Sequence, residues 1–108
     1  MTAQPAMLES MTGWDMHEDP ATRIPASHRL PPGTKVSVTV VCHHPWGLGT
    51  RLADGTQYGH VDVPHISDGP VRGPRDYPPI GQTMPAVVIR YSGTGQLRLS
   101  TRTSDIAQ

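Results

Sequence analysis

The chain has 108 residues, enough for one domain and not two, and its nine basic and nine acidic side chains cancel. Only 35% of residues are hydrophobic and Phe is absent, so the core must be small and aliphatic; 12 prolines and 11 glycines favour short strands and tight turns over helices. Zero net charge argues against the strong, non-specific nucleic-acid binding that an excess of Lys and Arg supports. No apolar run is long enough to span a bilayer, and no basic-then-apolar leader opens the chain, so the expected location is the cytoplasm with no membrane partner. The single Cys42 leaves no internal disulfide, and its apolar surroundings mark it as a small buried hydrophobe.

Residues 1–31 show no sustained period of two or 3.6 and are interrupted at Pro5, Pro20, Pro25 and Pro31. This segment reads as a disordered or loosely docked N-terminal extension, with Trp14, flanked by Met11 and Met16, as the residue that would anchor it. It carries Glu9, Asp15, Glu18 and Asp19 against Arg23 and Arg29. From Pro32 onward seven basic residues face five acidic ones, so the ordered part is mildly basic.

Order begins after Pro31-Pro32-Gly33. In Lys35–Cys42 the residues Val36, Val38 and Val40 share one face and Lys35, Ser37 and Thr39 the other, the clearest strand in the chain. A second strand, 45–52, places Leu48, Thr50 and Leu52 inward and Gly49 and Arg51 outward. The Asp54-Gly55 pair then marks a hairpin turn. A third strand, 57–63, alternates Tyr58, His60 and Asp62 with Gly59, Val61 and Val63. Residues 64–79 hold five prolines and two glycines and form a long connection with room for a helical turn; there Tyr77 reads as packing at the barrel's mouth, and Arg72 and Arg75 as solvated loop residues within reach of phosphate. A fourth strand, 82–91, aligns Met84, Ala86 and Val88, with Pro85 requiring an edge that needs no amide donor. The turn at 92–95 leads to a fifth strand, 96–100, with Leu97 and Leu99 inward. The inward set Val36, Val38, Val40, Leu52, Val61, Val63, Val88, Leu97 and Leu99 should form one core. Five strands with a long third connection and a closing hairpin describe an all-β, five-stranded Greek-key barrel of the oligonucleotide/oligosaccharide-binding (OB) type over 32–102, followed by a tail at 103–108; an SH3-like strand order is the competing arrangement.

Five pieces in this order resemble the S-one RNA-binding domain: Gly33-Thr-Lys-Val-Ser-Val, Trp46-Gly-Leu-Gly-Thr-Arg-Leu, Gly59-His-Val-Asp-Val, Gly81-Gln-Thr-Met-Pro-Ala-Val-Val and Leu97-Arg-Leu-Ser100. The resemblance covers about seventy residues and excludes the N-terminal extension. It implies a ligand face with two aromatics on the second strand and a histidine on the third, because bases of any sequence stack on aromatic rings. The first aromatic matches Trp46; the second falls on Gly49 and the histidine on Asp62. Arg51, Tyr58 and His60 share the outward parity and complete a smaller stacking and cationic patch with Trp46. The implied function is a module of modest affinity for single-stranded RNA; the rival is a protein-interaction module on the same barrel, using the Trp14 extension and the Pro-rich loop.

Six histidines raise the question of a metal or an acid–base centre. Adjacent His43 and His44 point to opposite faces of a strand, which leaves His44, His60 and Asp62 as a conceivable cross-strand ligand set. His60, Asp62 and His65 form the one cluster suited to acid–base catalysis, the third reading. Solvated or hydrogen-bonded histidines account for the same residues, so no metal, cofactor or catalytic residue is assigned, and the expected site is Trp46, Arg51, Tyr58 and His60.

Overall fold

The structure, a computed structural model, describes residues 29–108; the expectations for the N-terminal extension and Trp14 lie outside them. Five strands are present: β1 (Lys35–His44), β2 (Gly47–Leu52), β3 (Tyr58–Asp62), β4 (Thr83–Tyr91) and β5 (Leu97–Ser100). They close into a barrel in the order β1-β2-β3-β5-β4, with β4 returning to β1. Every ladder is antiparallel except β3–β5, which is parallel. A parallel pair needs a long crossover, and the connection from β3 to β5 through β4 supplies it. This is the OB barrel order, and it settles the choice against an SH3-like one.

Valine-rich alternation makes β1 the spine of the barrel, because it pairs with both β2 and β4. Val38 and Val40 are fully buried and meet Leu48, Leu52, Val61, Ala86, Val88, Leu97 and Leu99 in one core, while Val36 and Val63 pack against its rim. Thr50, the one polar residue on the inward side of β2, is also fully buried, and its hydroxyl donates to the Gly59 carbonyl at 3.0 Å. Gly59 faces the same interior: a Cβ there would stand 2.7 Å from Leu99 Cδ1, so the absent side chain is what lets both β5 leucines enter.

Two features depart from strict alternation. A β-bulge between Val40 and Cys42 reverses the parity of β1, which then continues to His44. Beyond the bulge Cys42 pairs with Gly49 and His44 with Gly47, so both lie on the outward side of the barrel rather than in line with Val38 and Val40. The long connection after β3 contains two 3-10 turns, Val63–His65 and Pro74–Asp76, and contributes Ile66 and Tyr77 to the core. Pro85 is exposed and faces Ser37 on β1, and the β5 ladder begins only at Val87, so no amide donor is needed on its other side.

The barrel's ends are tied by side chains. Tyr91 donates to Gln57 Oε1 at 2.7 Å and accepts from the Leu30 amide at 3.0 Å, while the Arg29 guanidinium lies 5.3 Å from its ring centroid. After β5 the chain forms one short helix, α1 (Thr103–Ile106), where the sequence suggests only a tail. The Ser104 amide donates to Asp68 at 3.0 Å, and its hydroxyl binds the same carboxylate. Asp105 accepts from Ser100 Oγ at 2.6 Å and from Arg102 Nε at 2.8 Å. These bonds close the base of the barrel against the loop that follows β3.

Candidate nucleic-acid interface

The outward side of β1, β2, β3 and β5 carries the groups suited to a ligand, and the register arranges them in rows. One row runs Thr39, Arg51, Tyr58; the next runs Cys42, Gly49, His60, Arg98; the last runs His44, Gly47, Asp62. Partners in a row are a strand spacing apart, so each row spans about 5 Å per step. Arg90 pairs with Arg98 across the β4–β5 ladder and extends the second row with a further exposed cation.

Trp46 precedes β2 and is 50% exposed. Its ring stacks on the His44 imidazole at a centroid distance of 4.9 Å and an interplanar angle of 11°. His44 is itself buried, and its Nε2 lies 3.0 Å from Cys42 Sγ. The Tyr77 hydroxyl donates to the His44 carbonyl at 2.7 Å, and burial pushes the Tyr77 phenol above its ordinary pKa. Trp46 thus rests one face on a fixed imidazole and turns the other outward. Such support limits the rotamers of an exposed ring, and less entropy is then lost when a base stacks on it. His43 points the other way, with Nε2 2.7 Å from the Pro78 carbonyl and its ring edge-on to Tyr77 at 5.2 Å, as adjacent strand residues must.

Arg51 is exposed and pairs with the half-buried Tyr58, so these two stand on the outward face as the sequence suggests. His60 is on that face by register, but only 2% of its surface is exposed. Its Nε2 lies 3.0 Å from Asp62 Oδ1, and the same nitrogen is 3.0 Å from where a Gly47 Cβ would be. The imidazole lies down over the side-chain-free positions of β2. Gly47, whose added Cβ would meet the ring, and Gly49, which pairs with His60, leave the space in which the β3 imidazole is buried, so His60 supports the face rather than presenting a platform.

Asp62 is the second departure from the S-one pattern, and its charge is not isolated. Arg98 Nη1 donates to Asp62 Oδ1 at 3.0 Å, the same oxygen that meets His60. A carboxylate paired with a guanidinium presents little net negative charge to a phosphate chain. Arg98 escaped the sequence reading because its neighbourhood depends on the parallel β3–β5 closure, which no local pattern announces. The one available signal was its outward parity between Leu97 and Leu99.

The other sequence candidates separate. Among the described residues no group of three or more His, Cys, Asp or Glu side chains could hold a metal ion, so His44, His60 and Asp62 do not converge as a ligand set. His65 sits in the first 3-10 turn, where its carbonyl accepts from the Thr101 amide at 2.9 Å and its ring acts electrostatically on Asp105. It belongs to the base of the barrel, not to a centre with His60 and Asp62. Arg72 and Arg75 line a shallow depression of about 510 Å³ with Pro70, Gly73, Pro74 and Asp76, and the Arg72 amide donates to Asp76 Oδ2 at 2.9 Å.

Fold and face together define the class: a small five-stranded barrel of the OB type that resembles S-one domains, with Trp46 as the one exposed large aromatic among the described residues. No protein-family model matches the chain, and no curated protein matches it. Solved structures do. A chain of the a/eIF2alpha–aDim2p–rRNA complex from Pyrococcus horikoshii OT3 is 28% identical, with a TM-score of 0.63 over 69% of this chain and 46% of its own length. The intact alpha subunit of aIF2 from Pyrococcus abyssi is 28% identical, with a TM-score of 0.61 over 69% of this chain and 30% of its own. GSP13 from Bacillus subtilis shares the fold at 18% identity, with a TM-score of 0.62 over 74% of this chain and 62% of its own. The chain thus spans less than half of the two archaeal proteins that it resembles. Among the described residues no helix is long and apolar enough to cross a membrane.

Proposed function

We propose that this chain is a binding module for single-stranded RNA that stacks one base on Trp46. The observation that carries the reading is the Trp46–His44 pair: a half-exposed indole held flat at 4.9 Å on a buried imidazole, on the ligand side of an S-one-type barrel. Arg51, Arg90 and Arg98 surround that side with guanidinium groups suited to phosphate, and Tyr58 adds a second, half-buried ring. His60 enters as the group that positions Asp62 and fills the glycine floor. The rRNA in the complex formed by a 28%-identical relative supports the same ligand class. With one full platform in place of the S-one pattern's two aromatics, affinity is modest and rests on a few phosphate contacts, which accords with a net charge of zero.

Titration of fluorescently labelled single-stranded RNA at low and moderate salt tests the proposal. Binding that weakens with salt and with Trp46→Ala is the expected result. A second reading, a protein-interaction module on the same barrel, draws on Ile80, which is 60% exposed at the end of the Pro-rich connection. Absence of RNA binding even at low salt would leave that reading in its place.

A further inference from the structure

Among the described residues the carboxylate of Asp62 is the one acidic group on a face otherwise rimmed by arginines, and its two oxygens are used unequally. Oδ1 receives both Arg98 Nη1 and His60 Nε2, each at 3.0 Å. Among the described residues Oδ2 takes no hydrogen bond, and the side chain is 43% exposed. The carboxylate is thus anchored through one oxygen, and the other is offered to solvent as a fixed acceptor. An acceptor in that place is used only when it meets a donor on the ligand, and the donors of RNA lie on its base edges and 2′-hydroxyls.

The register brings the stacking platform and that oxygen to the same row of the sheet. His44, Gly47 and Asp62 are consecutive cross-strand partners, and Trp46, stacked on His44, immediately precedes Gly47. Gly47 has φ +147°, and a Cβ there would fall 2.1 Å from the Val61 carbonyl oxygen, so this position excludes any side chain. Among the described residues the position between them on β2 is glycine backbone, and the His60 ring lies against it. The span from β1 to β3 is two strand spacings, about 9.5 Å, on the scale of one purine nucleotide.

We propose that this site, on the RNA-binding reading given above, selects guanine as the stacked base, with Asp62 Oδ2 as the residue that reads it. Guanine alone among the four bases presents two adjacent donors, N1–H and the 2-amino group, on its Watson–Crick edge. One carboxylate oxygen has lone pairs for both. Adenine, cytosine and uracil each place an acceptor beside their donor, and a carboxylate repels it. A polar group that is satisfied by one base and left facing an acceptor by the others discriminates strongly. Arg98 and His60 are positioning residues here: they fix the direction of Oδ2 without touching the base.

The experiment uses the full chain and five labelled RNA pentamers: UUGUU, UUAUU, UUCUU, UUUUU, and UUGUU with inosine in place of guanosine, which lacks the 2-amino donor. UUGUU should bind about tenfold tighter than UUAUU, UUCUU or UUUUU, the size of one good two-donor base contact, with the inosine pentamer in between. Asp62→Asn retains an oxygen for Arg98 and should abolish the guanine preference, bringing UUGUU to the affinity of UUUUU measured with the same variant; a thermal melt confirms that the variant is folded. Equal binding of all pentamers by the wild type, or a guanine preference that survives Asp62→Asn, overturns this inference and leaves the RNA-binding reading standing. No binding of any pentamer overturns both.

Discussion

Gly49 stands directly opposite His60 in the β2–β3 ladder, so the position at which the S-one pattern has its second aromatic is faced by an imidazole from the neighbouring strand. The ring occupies space beside the glycines and is 2% exposed. A loss of stacking surface on one strand is coupled here to a gain of packing on the next, and several measurable consequences depend on it.

His60→Ala should destabilise the barrel without unfolding it. The change removes a buried ring over Gly47 and one of the two groups 3.0 Å from Asp62 Oδ1. Deleting a buried polar group of this kind costs about 1–3 kcal/mol. Urea denaturation should show the lower midpoint, and an unchanged midpoint would mean that the glycine floor does not depend on this ring.

Trp46→Ala should leave the melting curve nearly unchanged, because half of the indole is already in solvent, and weaken single-stranded RNA binding by about 1–3 kcal/mol. Arg51→Ala should act differently. Loss of one phosphate contact reduces the slope of log affinity against log salt by about 0.7 for a single strand. If both variants bind as the wild type does, the ligand lies elsewhere, and the depression beside Arg72 and Arg75 becomes the place to look.

Gly47→Ala is expected to be costly for its size. At φ +147° an L-residue is strained, and the added Cβ would approach the Val61 carbonyl oxygen to 2.1 Å, so β2 must pull away from β3. Strain of this type is worth about 1–3 kcal/mol, and the displaced strand start carries Trp46 with it. Both thermal stability and RNA affinity should fall; in Gly55→Ala, where nothing lies within 4 Å of the new Cβ, only the smaller backbone cost should appear.

Acid should loosen the base of the barrel in a defined window. Hydrogen bonds from Arg102 and then Ser100 hold the Asp105 carboxyl at about 2, below its ordinary 3.8. A carboxyl depressed in the folded state contributes stability that is fully present above its unfolded pKa and is lost as pH falls through the folded one. The melting temperature should therefore lose Asp105's contribution between pH 3.8 and about 2. Asp105→Asn should lower the neutral-pH value and flatten that acid limb. Asp68, depressed by its bonds from Ser104, acts in the same direction, so some acid sensitivity should remain in the single variant.

Much of the barrel was legible in the chain because strand alternation is local chemistry. Val36-Ser-Val-Thr-Val40, Leu48-Gly-Thr-Arg-Leu52 and Leu97-Arg-Leu99 each announce which side faces the interior, and the Asp54-Gly55 turn separates the second strand from the third. Arg51 with Tyr58 on the outward face follows from the same parity, whereas Trp46 shares the parity of Leu48 and Leu52 and is singled out by the S-one resemblance and its place between Pro45 and Gly47. What parity could not anticipate was the bulge after Val40. One extra residue turned Cys42 and His44 outward and brought an imidazole beneath Trp46.

The sequence alone, then, determined the strands and their inward faces, because a period of two is written in neighbouring side chains, and the S-one resemblance singles out Trp46. Only the closed barrel decided what surrounds that residue. Ile66 and Tyr77 reach the core from a connection with no hydrophobic period, and Ser104 and Asp105 tie down a segment that reads as a tail. Asp62 is an acid out of place in the sequence; in the structure it is an acceptor aimed by Arg98, 36 positions away, across a parallel pairing of β3 with β5. Contacts between strands distant in the chain depend on register and closure, which are properties of the assembled sheet and not of any segment within it.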